Sequence, residues 1–245
     1  MARADSALSQ AEIEKIVHDY IMNNPQVVID SVNALHAKQQ ADAAAAQQQA
    51  LKGSMAALTQ DSRDPFIGAS AKDADVTLVE FFDYNCGFCK KTMPELLNLV
   101  ESDKKVRVVM KEYPILSPDS STAAKFALAV YAVKPAAYLN FHRALMETHR
   151  PKSDDVLKKL LTDLGIDPVS VKQQVTSPEI TKHLQDNEAL AARIGVSGTP
   201  TFFIGGELQS SAMSEGMLVE RINAIRKQAA VQKSPDVVIH SAPTS

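Results

Sequence analysis

Thr77-Leu78-Val79-Glu80-Phe81-Phe82-Asp83-Tyr84-Asn85-Cys86-Gly87-Phe88-Cys89-Lys90-Lys91 is the stretch on which the fold turns. Thr77 to Phe82 is apolar apart from Glu80 and reads as a mostly buried strand. A helix is expected from about Cys86 to Val100. After it, Lys105 to Lys111 (Lys-Val-Arg-Val-Val-Met-Lys) reads as a second strand. Strand, helix and strand of these lengths make a βαβ unit, which implies a parallel pair with a right-handed crossover.

Cys86 and Cys89 are the two cysteines of a 245-residue chain, too few for a structural disulfide framework. Scattered at random, such a pair would fall three positions apart in roughly one case in a hundred. Their place at the start of a helix carries the chemistry. Free backbone N–H groups there stabilise a thiolate and lower a thiol pKa below its free value of about 8.5. Cys86 is therefore the expected nucleophile, and Cys89, one turn on and more buried, is expected to resolve the mixed disulfide. One C-x-x-C pair is also half a zinc site. With no second pair, and histidines scattered at 18, 36, 142, 149, 183 and 240, neither a metal nor another cofactor is expected. Two inert core cysteines are the other alternative, against which Gly87 and the strand-to-helix position count.

Upstream, residues 1–60 are rich in Ala and Gln and read as helical. Ser9-Gln10-Ala11-Glu12 has the form of a capping box, followed by Ile13, Ile16, Val17, Tyr20 and Ile21 on one face. Asn24-Pro25 opens a second helix with Val28, Ile29, Val32 and Leu35 in its stripe; Ala37 to Ala50 offers little to bury and reads as a linking helix or stalk, before Leu51, Met55 and Leu58 resume the stripe. Downstream, a helical block of residues 117–194 has starts at Ser117-Pro118, Pro135, Ser153-Asp154-Asp155 and Ser177-Pro178-Glu179. Then Thr201 to Ile204 reads as a strand, Gly205-Gly206 as a tight turn, Glu207-Leu208-Gln209 as its partner, and Ser214 onward as a closing helix. The expected domains are 1–60, 61–230 and a disordered tail over 231–245.

With 45% hydrophobic residues the chain can bury a proper core, and a formal net charge of −3 with interspersed signs points away from nucleic acid and from anionic membrane surfaces. No apolar run approaches the roughly 20 residues that span a bilayer. The segment Met1-Ala2-Arg3-Ala4-Asp5-Ser6 lacks the apolar core of a signal peptide, which suits a soluble chain and equally a mature secreted one without its leader.

The stretch from Val79 to Lys91, together with Gly198-Thr199-Pro200-Thr201-Phe202-Phe203-Ile204-Gly205-Gly206, resembles the DsbA-like branch of the thioredoxin superfamily over about residues 62–229. The resemblance implies an α/β thioredoxin fold with an inserted helical domain. It implies thiol-disulfide oxidoreductase activity with Gly87 and Phe88 inside the active motif, a cis Pro200 opposite the cysteines, and Thr199 offering its backbone to an extended substrate. It also implies that Glu80 is a buried acid beneath the disulfide with Lys111 as its basic partner. Asp83 is close enough to oppose a thiolate, with a net effect that sequence does not sign. The N-terminal helices resemble those of the ScsC and Com1-like members, which implies a homo-oligomer, dimer or trimer, and isomerase activity. Misoxidised secreted proteins are the implied substrates, the periplasm the implied compartment, and a membrane protein of DsbB or DsbD type the implied redox partner. A monomeric dithiol oxidase is the alternative within the class. A cytosolic thioredoxin-like reductase and a non-catalytic thioredoxin-fold chaperone remain open.

Overall fold

The computed structural model describes residues 8–148 and 153–233, and the contacts divide the chain into a unit ending at Gln49 and one beginning at Ala50. In the first unit, α1 (Gln10–Asn23) starts at the capping box: Ser9 Oγ accepts the Glu12 N–H at 3.4 Å, and Glu12 Oε2 accepts the Ser9 N–H at 2.9 Å. The helix α2 (Gln26–Gly53) begins one residue after Pro25, whose ring cannot donate to a preceding turn. Among the described residues of this unit none is buried. Ile13, Ile16, Val17, Tyr20, Ile21, Val28, Ile29, Val32 and Leu35 all stand exposed.

The second unit opens with the end of α2 and the short α3 (Met55–Thr59). There follow β1 (Phe66–Gly68), β2 (Val76–Phe82), α4 (Gly87–Ser102) and β3 (Val106–Glu112). The inserted block then runs through α5 (Pro118–Val133), a 3-10 turn at Pro135–Ala137, α6 (Tyr138–Glu147), α7 (Asp154–Asp163), α8 (Pro168–Val175) and α9 (Pro178–Ile194). The chain returns to the sheet with β4 (Thr201–Ile204) and β5 (Glu207–Gln209) and closes with α10 (Glu215–Lys233). The sheet order is β1-β3-β2-β4-β5, with β2 and β3 parallel and every other pair antiparallel. The expected βαβ unit is thus present, and the insertion separates it from a β4–β5 hairpin. Gly205 and Gly206, both at positive φ (62° and 88°), make the turn between those strands.

Strand alternation gives the sheet two apolar faces. Leu78, Phe82, Val106, Val108 and Met110 join a core with Met93 and Leu96 of α4 and with Phe126, Phe141 and Leu145 of the insertion. Val79, Phe81 and Val109 join a smaller core on the other side, with Leu51, Leu58, Leu190, Ile194 and Phe203. Leu51 and Leu58 are 2% and 0% exposed, each burial stabilising by about 1.5–3 kcal/mol. The boundary expected at residue 60 therefore lies at Ala50, because residues 50–59 fill this core and do not belong to the stalk. The helix α8, capped by Asp167, and the edge strand β1 were not expected from the sequence. Of the tail expected to be disordered, Val231 to Lys233 continue α10, and residues 234–245 lie outside the described residues.

Gly68 ends β1 at φ 83°, where an added Cβ would strike the Val106 carbonyl oxygen and stand 2.9 Å from Val100 Cγ1. Gly68→Ala is expected to lower stability by about 2 kcal/mol, combining left-handed backbone strain with overpacking. Urea unfolding measures it, and an unchanged midpoint would show that the strand end can relax.

Candidate active site

Cys86 is the N-cap of α4, with φ −75° and ψ 116°, so its side chain faces the free N–H groups of the first turn. Its Sγ accepts the Cys89 N–H at 3.4 Å and donates to the Thr199 carbonyl at 3.2 Å. Both cysteines are free thiols, 5% and 1% exposed. The β2–β4 register, Phe81 opposite Thr201 and Glu80 opposite Phe202, lays the segment before β4 across the start of α4. The Thr199–Pro200 bond is cis. Phe88, 61% exposed, Ser197, Thr199, Pro200, Ser210 and Ser211 line a cavity of about 480 Å³ beside the thiols. Gly87 is the first residue of α4, and a Cβ there would meet nothing within 4 Å, so packing does not demand glycine at this position.

Glu80 sits directly beneath, 2% exposed, with Oε1 lacking a hydrogen bond. Burial, and then the negative charge of a Cys86 thiolate, push its carboxyl up to about 8. Burial, and then Glu80, push the Cys89 thiol up, opposed by a hydrogen bond from the Asp83 backbone. Lys111 is not the partner of Glu80. Parallel pairing sets Glu80 beside Met110 and Lys111 beside Phe81, so acid and base point to opposite faces of the sheet. Lys111 Nζ instead lies 2.5 Å from Asp64 Oδ2, and Asp64 Oδ1 lies 2.8 Å from His183 Nε2, all three buried. Asp61, Asp64 and His183 place their ligand atoms within 4.8 Å of one another, but the Lys111 ammonium already neutralises Asp64, so a metal ion does not fit there.

A buried polar cluster flanks Phe82 that sequence reading missed. Tyr84 Oη lies 2.9 Å from both Glu112 Oε1 and His142 Nδ1, and Tyr138 Oη lies 3.3 Å from the same nitrogen. Burial holds Glu112 well above the usual carboxylate range and pushes His142 down to about 3, so the imidazole is neutral at physiological pH. The Tyr84 contacts join positions 58 and 28 apart, which no motif spacing marks; Tyr138 and His142, four apart on α6, share a helical spacing that does not by itself point to Tyr84 or Glu112.

Comparison with known proteins agrees with this geometry. A family model described as a DSBA-like thioredoxin domain matches residues 77–223, and one described as the copper resistance protein ScsC N-terminal domain matches residues 10–42. The structure of Proteus mirabilis ScsC in a transitional conformation is similar at a TM-score of 0.67 and 28% identity, over 92% of this chain and 100% of that one. A periplasmic thioredoxin-like protein from Salmonella enterica serovar Typhimurium is similar at a TM-score of 0.64 and 33% identity, over 70% and 94% of the two chains. The probable disulfide bond formation protein D of Bacillus anthracis is 23% identical over 147 residues, 56% of this chain and 68% of that relative.

Proposed function

The chain belongs to the DsbA-like thioredoxin family of thiol-disulfide oxidoreductases, and from that premise we propose that Cys86 exchanges disulfides with secreted proteins, that Cys89 resolves the mixed disulfide, and that self-association confers isomerase activity. The observation that carries the reading is the Cys86 sulfur at a helix N-terminus, 3.4 Å from the Cys89 N–H and 3.2 Å from the Thr199 carbonyl.

In the reduced enzyme the Cys86 thiolate attacks a substrate disulfide. One Cys86–substrate bond forms, and the second substrate sulfur leaves as a thiolate that takes a proton from solvent. If that thiolate attacks another disulfide of the substrate, the sulfur displaced there attacks the mixed disulfide, which closes a new substrate bridge and expels Cys86 as a thiolate. If Cys89 attacks Cys86 instead, the substrate leaves reduced and the enzyme holds the disulfide. Oxidation of a substrate is the same path reversed. Ionised Glu80 takes the proton of the attacking Cys89, and protonated Glu80 returns it when Cys89 leaves. Thr199 and the cis Pro200 supply the edge along which the substrate backbone lies. The lining of Phe88 and small hydroxyl side chains sets few side-chain demands.

Support for self-association comes from the first unit. Its two apolar stripes are exposed in the single chain, and helices with such faces gain most of their stability by burying them. A second copy supplies that cover and holds several dithiols near one substrate. We place the protein outside the cytoplasm, where a membrane partner of DsbB or DsbD type sets its redox state. A chain starting at Ala50 is expected to run as a monomer in light scattering and to reactivate scrambled ribonuclease at least about tenfold more slowly than the full chain. Unchanged mass and rate would refute the isomerase assignment while leaving exchange chemistry intact.

A further inference from the structure

Asp83 lies between β2 and the cysteines and is 1% exposed although it carries a carboxylate. Its Oδ1 accepts the Asn85 N–H and the Ser120 hydroxyl, each at 2.7 Å, and its Oδ2 accepts the Leu116 N–H at 2.9 Å. Leu116 and Ser120 bracket Ser117, the N-cap of α5, so the carboxylate grips the first turn of the helical insertion. Asn85 Nδ2 adds bonds to Ser117 Oγ at 2.8 Å and to Ser120 Oγ at 3.0 Å. The main chain of Asp83 holds the dithiol: its carbonyl accepts the Cys86 N–H at 3.0 Å, and a backbone hydrogen bond from it reaches the Cys89 sulfur.

We infer that Asp83 is a positioning residue for disulfide exchange, its carboxylate clamping the start of the helical insertion to the turn that carries Cys86 and Cys89. The inference rests on the reading of these cysteines as the exchanging pair. A carboxylate only accepts hydrogen bonds, and all three partners around it are donors, so the site suits its chemistry and not that of an amide. Asparagine would turn an N–H₂ toward a donor and force the turn to move. The Cys86 sulfur would then lose its alignment with Thr199.

Charge and position make opposite demands. If Asp83 acts through its negative charge, removing it favours a thiolate nearby and speeds attack. If it acts by holding the turn, removing it slows attack. The test is the second-order rate of reaction of the reduced full-length protein with oxidised glutathione, across pH and well below the melting temperature, for wild type, Asp83→Asn and Ser120→Ala. Ser120→Ala keeps the charge and removes the hydroxyl's bonds with Asp83, Asn85 Nδ2 and Ser117 Oγ. Asp83→Asn is expected to be about tenfold slower, the worth of one charge-assisted hydrogen bond, and Ser120→Ala to be slower by a smaller factor with a parallel pH profile. Asp83→Asn at or above the wild-type rate overturns the inference. So does Ser120→Ala at the wild-type rate, and it decides alone if Asp83→Asn does not fold. A lowered melting temperature with unchanged rates would leave only a structural bond and also overturns it. A wild-type protein that fails to react with glutathione would refute the exchange reading instead.

Discussion

Cys89→Ser is expected to halt turnover at a covalent adduct between Cys86 and the substrate, and Cys86→Ser to lower the exchange rate by more than about a thousandfold. The asymmetry follows from the geometry. Only Cys86 faces both the helix N–H groups and the Thr199 carbonyl, whereas Cys89 is 1% exposed and its thiol is pushed up by burial and by Glu80. Attack on a substrate is therefore expected to start at Cys86. With serine at 89 nothing inside the protein releases the adduct, so intact mass after incubation with a disulfide peptide should show one peptide added, removable by dithiothreitol. Adduct formation by Cys86→Ser would reverse the assignment of the two roles.

The second large effect is on stability. The Glu80 carboxyl has an ordinary value of 4.5 and sits at about 8 in the folded protein. Between those limits the folded chain keeps a proton that the unfolded chain has released, so the native state binds more protons and stability falls as pH rises. Below 4.5 both states are protonated and the effect vanishes; above about 8 both are ionised and the loss is complete. The loss accumulates at up to about 1.4 kcal/mol per pH unit, and relaxation around the carboxylate reduces it, leaving roughly 3 kcal/mol. Glu80→Gln should be more stable than wild type by about that amount at pH 9 and equal to it at pH 4. Urea unfolding at the two values measures the difference. Parallel pH profiles for the two proteins would mean that Glu80 ionises freely where it is. The same substitution removes the proposed proton acceptor of Cys89 and should slow the resolving step more than the formation of the adduct.

The sheet and the dithiol were legible because their signals are local. An apolar run ending in Cys-Gly-Phe-Cys and a Thr-Pro before a second apolar run need no knowledge of distant contacts. The pairing of Glu80 with Lys111 failed because family position told which residues are near the sheet but not which face each one takes. That depends on register, and the observed Phe81–Lys111 match turns the lysine toward Asp64 and His183. The boundary near residue 60 failed for a related reason. Leu51 and Leu58 continue the helical spacing of the stalk, and only the surrounding Val79, Phe81 and Ile194 show that they belong to the next unit. The Tyr84, Glu112 and His142 cluster and the grip of Asp83 on Leu116 and Ser120 join residues across the insertion, where no spacing rule reaches.

Cys86 and the carbonyl it faces are 113 residues apart, with the entire insertion between them. During synthesis, at roughly 5–20 residues per second, Thr199 is polymerised on the order of ten seconds after Cys86. For that interval Cys86 and Cys89 stand on an unfinished chain, with neither the β4 strand nor the proline segment to meet them. The complete site is therefore a late product of synthesis, assembled only once the chain has passed through the whole insertion.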